Sequence, residues 1–206
     1  MLFEDTFQTI KYQSEGLFKD KGSRFIAHAF PVQTEEEIKN TLEEIRKKYH
    51  DARHHCFAYV LGSDKSAQRS YDDGEPTGTA GKPILNQLIS KGLTNTLVVV
   101  VRYFGGIKLG VSGLINAYKS ATLDALNQTE AITKIVMETY VIEFDYLQMN
   151  DMMKILKEDD IKIESQDFEN RCKIQFSVRK NKAESTIERF KKLKSISLQF
   201  IHFCSM

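Results

Sequence analysis

Two glycine-rich segments hold the residues with the clearest capacity for chemistry. The first is Asp72-Asp73-Gly74-Glu75-Pro76-Thr77-Gly78-Thr79-Ala80-Gly81-Lys82-Pro83. Its Gly and Pro residues specify backbone shape, because Gly permits positive φ and Pro fixes φ. Acidic and hydroxyl groups are interleaved, and the segment ends at a helix start. The second is Arg102-Tyr103-Phe104-Gly105-Gly106-Ile107-Lys108-Leu109-Gly110-Val111-Ser112-Gly113, which leaves an apolar strand and enters a helix. Backbone amides at such a helix start point outward and favour anions, and Arg102 and Lys108 would add positive charge. Neither segment is a Walker A loop or a dinucleotide fingerprint. The alternative is that the glycines serve only a tight strand-to-helix turn and close packing. Both loops lead into helices of one small domain, which predicts one continuous surface.

Asp72, Asp73 and Glu75 have the chemistry of an acid/base pair or a divalent-cation site, and equally that of loop residues bonding their own backbone. Ala52-Arg53-His54-His55-Cys56-Phe57 sets a thiol beside two imidazoles. Adjacent strand residues point to opposite faces, so His55 is poorly placed to serve Cys56, whereas His54 shares its side. With no third orienting group, Cys56 reads as a half-buried strand residue and not a nucleophile. Cys56, Cys172 and Cys204 are odd in number and far apart, so neither a disulfide framework nor a zinc spacing is present, and no metal or cofactor is expected. His28 and His202 sit in apolar strands and read as packed residues.

The elements that must position these groups follow from periodicity. Phe25–Phe30, Cys56–Leu61 and Leu97–Tyr103 read as strands, the last apolar enough to be buried on both faces. Thr34-Glu35-Glu36-Glu37 has capping-box spacing ahead of a helix through Ile38, Leu42, Ile45 and Tyr49. Ile84, Leu85, Leu88 and Ile89 mark a second helix, and Leu114, Ile115, Tyr118, Ala121, Ala125 and Leu126 a third. After about Lys134 the order becomes strand (Thr139–Asp145), helix (Met149, Met152, Met153, Leu156), two strands across a Glu169-Asn170 turn, helix (Ala183, Ile187, Phe190, Leu193) and strand (Ser197–Phe203). That is the β-α-β-β-α-β ferredoxin-like order. The expectation is an α+β chain with domains at 1–130 and 134–206.

With 206 residues, 29 Lys+Arg against 28 Asp+Glu and 41% hydrophobic content, the chain is of globular type. The charges balance within each half, so a global basic field for gripping nucleic acid is excluded and any such contact rests on local patches. The longest aliphatic run, Leu97-Val98-Val99-Val100-Val101, is far short of the about 20 residues of a membrane span, and the N-terminus has no signal-peptide pattern. A cytoplasmic protein is expected.

Ser23-Arg24-Phe25-Ile26-Ala27, Ala52–Tyr59, Asp73–Leu85 and Val100–Gly110, followed by Gly113-Leu114 and Ala117-Tyr118, closely resemble the IMPACT/YigZ family. The resemblance implies a first domain like the second domain of ribosomal protein S5, as in domain IV of the translocation elongation factor, and a second domain like that factor's domain V. Eukaryotic members regulate translation by competing for the activator of a kinase that phosphorylates an initiation factor, using an additional N-terminal domain for which this chain has no room before residue 20. The implied function is translation-associated regulation, without catalysis, through RNA, the ribosome or a ribosome-associated partner. Its binding residues would be Arg53, His54, His55, Asp73, Glu75, Thr77, Thr79, Arg102, Gly105, Gly106, Lys108, Gly110 and Gly113. The alternative is an enzyme or a phosphate- or nucleotide-binding protein using the two glycine-rich loops, with a small anion as ligand.

Overall fold

Alternation decides the first sheet. In the computed structural model, which describes residues 5–169, 171–193 and 195–205, strands β2 (Ser14–Asp20), β3 (Ser23–Pro31), β4 (His54–Leu61), β5 (Ala67–Tyr71) and β6 (Thr96–Tyr103) pair antiparallel in the order β2-β3-β6-β4-β5. Phe25, Ala27 and Ala29 of β3, Cys56, Ala58 and Val60 of β4, and Val98 and Val100 of β6 face one way. Helices α2 (Gly81–Ser90) and α3 (Gly110–Asn127) cover them with Ile84, Leu88, Leu114, Ala117, Tyr118, Ala121 and Ala125. Phe57, Tyr59, Leu97, Val99 and Val101 face the other way, under Ile38 and Ile45 of α1 (Glu35–Lys48). β6 is therefore apolar along its length because both its faces are covered. Full burial of a side chain such as Ile84 or Leu88 contributes about 1.5–3 kcal/mol.

Small residues set how closely α3 lies on the sheet. A Cβ on Gly16 of β2 would stand 2.2 Å from the Ala125 amide nitrogen. The α1 cap differs from the reciprocal capping box: Thr34 Oγ1 accepts from the Glu37 amide at 3.1 Å, but the Glu37 carboxylate accepts from Gln33, one residue earlier than Thr34. Ile89 (52% exposed) and Ile115 (39%) face outward, not into the core as their periodicity suggested.

In the remaining part of the chain, β7 (Ala131–Phe144), a 3₁₀ turn (Tyr146–Gln148), α4 (Met149–Glu158), β8 (Lys162–Asp167), β9 (Cys172–Arg179), α5 (Lys180–Lys191) and β10 (Ser197–Ser205) follow in sequence. The antiparallel pairs give the order β10-β7-β9-β8, and the short β1 (Thr6–Ile10) joins the same sheet beside β7. Tyr140, Ile142, Phe144, Ile174, Phe176 and Val178 pack on Met152, Ile155, Leu156, Ala183 and Phe190. Met153, expected inward, is 39% exposed, and Ile155 takes the core position. On the opposite face Thr139 and Ser177 hydroxyls meet at 2.9 Å and Ser177 donates to Glu164 at 2.6 Å. His202 is exposed on β10, a correction to its packed reading. The expected turn at Glu169-Asn170 includes Asn170, which lies outside the described residues.

Contacts divide the chain into two compact units, Phe7–Thr133, and Lys134–Met206 with the N-terminal residues up to Thr6. The N-terminal residues sort with the second unit through Asp5, whose carboxylate accepts from Arg179 and whose carbonyl accepts from the Val136 amide at 2.7 Å. Both units are mixed α/β. Among the described residues no helix is long and apolar enough to cross a membrane.

Candidate functional site

The first glycine-rich loop is organised around Asp72. Its carboxylate accepts from the amides of Gly78 (2.9 Å), Ala80 (3.0 Å) and Gly81 (2.8 Å). The Ala80 and Gly81 amides are orphan donors at the start of α2 and the Gly78 amide belongs to the loop before it, so the anion that this helix end attracts is supplied by the chain itself. Asp73 does similar work one residue later: Oδ2 accepts from the His55 amide at 2.6 Å, and its carbonyl lies 2.8 Å from His54 Nδ1. His55 is buried, with Nε2 3.0 Å from the Tyr49 carbonyl. Thr79 is buried and donates to the Pro76 carbonyl at 2.7 Å. Pro76 and Thr77 stay exposed at the tip.

Glu75 turns inward. Its side chain is 3% exposed and meets Arg102 Nη1 at 2.5 Å, with the Arg102 side chain 8% exposed. The same oxygen accepts from the Tyr118 hydroxyl at 2.8 Å. Arg102 lies between aromatic rings, 5.4 Å from the centroid of Phe25 and 5.7 Å from that of Phe104. The expectation that Arg102 adds free charge to an anion site is thus corrected: its charge is neutralised by Glu75 inside the unit. Glu75 likewise is not a surface acid. Among the described residues no group of three or more His, Cys, Asp or Glu is placed to hold a metal ion.

Cys56 belongs to this network and is fully buried, not half-buried. Its thiol donates to the Asp72 carbonyl at 2.9 Å and lies 3.3 Å from the Tyr118 hydroxyl. Burial pushes the thiol pKa up, and the nearby acidic side chains push it the same way. His54, the imidazole on its side of the strand, is engaged with Asp73 instead. Burial also raises the Tyr118 phenol. In this network the thiol and the phenol act as hydrogen-bonding groups.

The second loop divides by function. Gly105 is required by packing, since a Cβ there would stand 1.9 Å from the Gly22 carbonyl carbon, and its amide donates to Ser23 Oγ at 3.1 Å. Gly106 (φ +92°) and Gly110 (φ +75°), with Gly78 (φ +78°) in the first loop, face open space. Positive φ, not crowding, selects glycine at these three positions. Gly113 abuts the side chain of Leu109, the N-cap of α3, and the helix starts at Gly110, earlier than the loop reading placed it. Lys108 and Arg53 are exposed and make no ion pair among the described residues. The candidate residues therefore fall into an internal set (His55, Glu75, Thr79, Arg102, Gly105), an outward set (Arg53, Thr77, Gly106, Lys108, Gly110) and three half-buried residues between them (His54, Asp73, Gly113). Tyr118, absent from the candidate residues, and Asp72, read from the sequence for acid/base or cation chemistry but not among the binding residues, are the central residues of the network. A lone Tyr on the buried face of an Ala-rich helix was the available signal for the former.

The pattern of loops around a two-faced sheet has counterparts in other proteins. The model of the Impact N-terminal domain matches residues 21–126, which include every member of the internal network. The chain belongs to the IMPACT family. It is 39% identical over 153 residues to the IMPACT family member YvyE of Bacillus subtilis, covering 74% of this chain and 70% of that one. It is 41% identical over 151 residues to YigZ of Escherichia coli, covering 72% and 74%. Protein IMPACT of Oryctolagus cuniculus matches over 96 residues at 40% identity, which is 44% of this chain and 30% of that one. A solved structure described as an hypothetical protein superposes with a TM-score of 0.73 at 31% identity, covering 97% of this chain and 99% of its own. For an IMPACT family chain, the buried Cys56–Tyr118–Glu75–Arg102 network thus lies wholly within the segment that defines the family.

Proposed function

We propose that this IMPACT family member is a binding module of translational regulation in the cytoplasm, engaging the ribosome, RNA or a ribosome-associated protein without catalysis of its own. One observation carries the reading: Cys56, Asp72, Glu75, Arg102 and Tyr118 hydrogen-bond to one another or to the backbone, with Arg102 Nε the one buried side-chain nitrogen or oxygen among them left unpaired, while the loop tips they support, Thr77, Gly106 and Lys108, face outward. Chemistry needs reactive groups at a surface. Here the reactive groups hold the shape, and the exposed loop surface carries Thr77, Phe104, Ile107 and Lys108. We read the first unit as S5-domain-2-like and the order β10-β7-β9-β8, with both helices on one face, as ferredoxin-like, the pair of domains found in translation factors. Fold analogy supports the association and does not assign the partner.

The outer faces of β7 and β9 bear Thr139, Ser177, Lys173 and Glu143 and lack the aromatic platforms on which bases stack. RNA contact in this reading therefore falls to the first unit, through Arg53, His54 and Lys108. The test is affinity capture of the tagged full chain from lysate, with mass spectrometry of protein and sequencing of RNA, alongside ribosome sedimentation in a sucrose gradient. Co-sedimentation that is lost in a Thr77→Glu/Lys108→Glu variant supports the reading. Sedimentation only at the top of the gradient, with neither RNA nor ribosome-bound protein captured, overturns it.

A further inference from the structure

The outward surface between α2 and α3 has a composition that a solvated helix pair does not need. Gly78, Lys82, Pro83, Asn86, Gln87, Ile115 and Lys119 line a groove there, with no acidic side chain among them. Along α3, Val111 (59% exposed), Ile115 and Lys119 recur at four-residue spacing and so form one stripe. Lys82 and Asn86 repeat that spacing on α2, and Ile89 (52% exposed) extends the same side of it. Ile107 (57% exposed) and Lys108 are exposed in the second glycine-rich loop, just ahead of the start of α3. Lys82, Lys108 and Lys119 make no ion pair among the described residues.

We propose that this α2–α3 groove is the docking site for an acidic amphipathic helix of a protein partner. The inference rests on the binding-module reading above and names the partner chemistry at that surface. Three observations select the occupant. Unopposed lysines flanking the groove require negative charge on whatever covers them. Exposed Val111 and Ile115 offer apolar surface along α3 against which the i, i+4 anchors of a docked helix can be buried. Both walls are helices, so the ridges present a seat for a third helix and no free sheet edge for a strand. Nucleic acid would share the need for cations but gains little from branched aliphatics, since bases stack on aromatic rings and none lines the groove. Gly78, with open space above it, lets a partner approach the loop backbone at one end.

The experiment uses the full chain and three fluorescein-labelled probes of about 18 units. One is a helical peptide with leucines at i, i+4 spacing on one face and glutamates on the other. The second replaces the glutamates by lysines, and the third is oligouridine. Fluorescence anisotropy at physiological salt should rank the acidic helix at least tenfold tighter than the other two. Val111→Ser/Ile115→Ser and Lys82→Glu/Lys119→Glu should each weaken it tenfold or more, with unchanged urea midpoints. A charge-matched control in the other unit, Lys191→Glu/Lys192→Glu, should change it less than twofold. The proposal is overturned if the acidic helix fails to bind, if the basic helix binds as well, if the groove variants leave binding intact, or if oligouridine is preferred and responds only to the lysine changes. Ribosome co-sedimentation of the same groove variants separates the two levels. Sedimentation by the wild-type chain together with failure of the acidic helix leaves the binding-module reading standing and removes the groove, whereas a wild-type chain that stays at the top of the gradient, captures neither RNA nor ribosome-bound protein and fails to bind the acidic helix removes both.

Discussion

Replacing Glu75 by Gln keeps the volume of the side chain and an oxygen acceptor for Tyr118, so no cavity forms; what disappears is the charge opposite Arg102. The pair is deeply buried, 3% and 8% exposed at 2.5 Å, and a guanidinium left without its counter-ion there costs about 3–5 kcal/mol. For a chain of this size 1 kcal/mol corresponds to roughly 2–4 °C, so a loss of about 3 kcal/mol lowers Tm by roughly 6–12 °C. Arg102→Met removes the charge but strands the Glu75 carboxylate, with a similar cost. In the Glu75→Gln/Arg102→Met double variant neither charge remains, the Met stem fills the space between Phe25 and Phe104, and stability returns to within about 1 kcal/mol of the wild type. Urea titrations followed by circular dichroism give the cycle, and hydrogen exchange of the Tyr118 to Thr122 amides reports on this unit alone. A cost below about 1 kcal/mol for Glu75→Gln, or a double variant as unstable as the sum of the singles, would refute the assignment of the pair as a desolvated, mutually dependent unit.

Cys56 should resist a thiol reagent in the folded chain and react only with unfolding, while the partly exposed Cys204 reacts first, and Cys56→Ser should leave ribosome co-sedimentation intact; rapid native labelling of Cys56 would contradict its raised pKa. His28 has its pKa lowered by burial, against the opposing pull of Glu15, with Lys48 lowering it further and Glu44 lining the same cleft. The unfolded chain then binds a proton that the folded chain refuses, so stability falls as pH drops through about 6.5, and His28→Phe should flatten that slope in denaturant titrations between pH 5 and 8. Gly106→Ala should cost only the about 1–3 kcal/mol of a positive φ, whereas Gly105→Ala, driven into the Gly22 backbone, should cost more or abolish folding; equal midpoints for the two would show that the close approach is not obligatory.

The parts of the fold that were legible in the sequence are those with two-sided or periodic burial. β6 and β4 announce themselves as apolar runs because both their faces are covered, and Thr34 announces α1 because its hydroxyl has one geometrically fixed task. β5, Ala67-Gln68-Arg69-Ser70-Tyr71, carries no apolar face, since an edge strand is held by pairing to β4 and not by burial. Ile89 and Ile115 were indistinguishable from core positions, because periodicity reports a helix face and not what lies opposite it. The same limit applies to the site. Loop geometry could be read from Gly and Pro, but Glu75 lies 27 residues from Arg102 and 43 from Tyr118, and no local pattern encodes a pairing made only when the sheet closes.

Asp72 occupying the amides of Gly78, Ala80 and Gly81 has a thermodynamic consequence for any encounter at the loop tip. Ordering a loop on binding costs about 0.5–1.5 kcal/mol for each side chain immobilised, besides the backbone. Here that entropy is already lost during folding, so the Pro76-Thr77 tip would meet a partner in a fixed shape. Association through it should resemble rigid-body docking, with little loop reorganisation between free and bound states and a heat-capacity change accounted for by the interface alone.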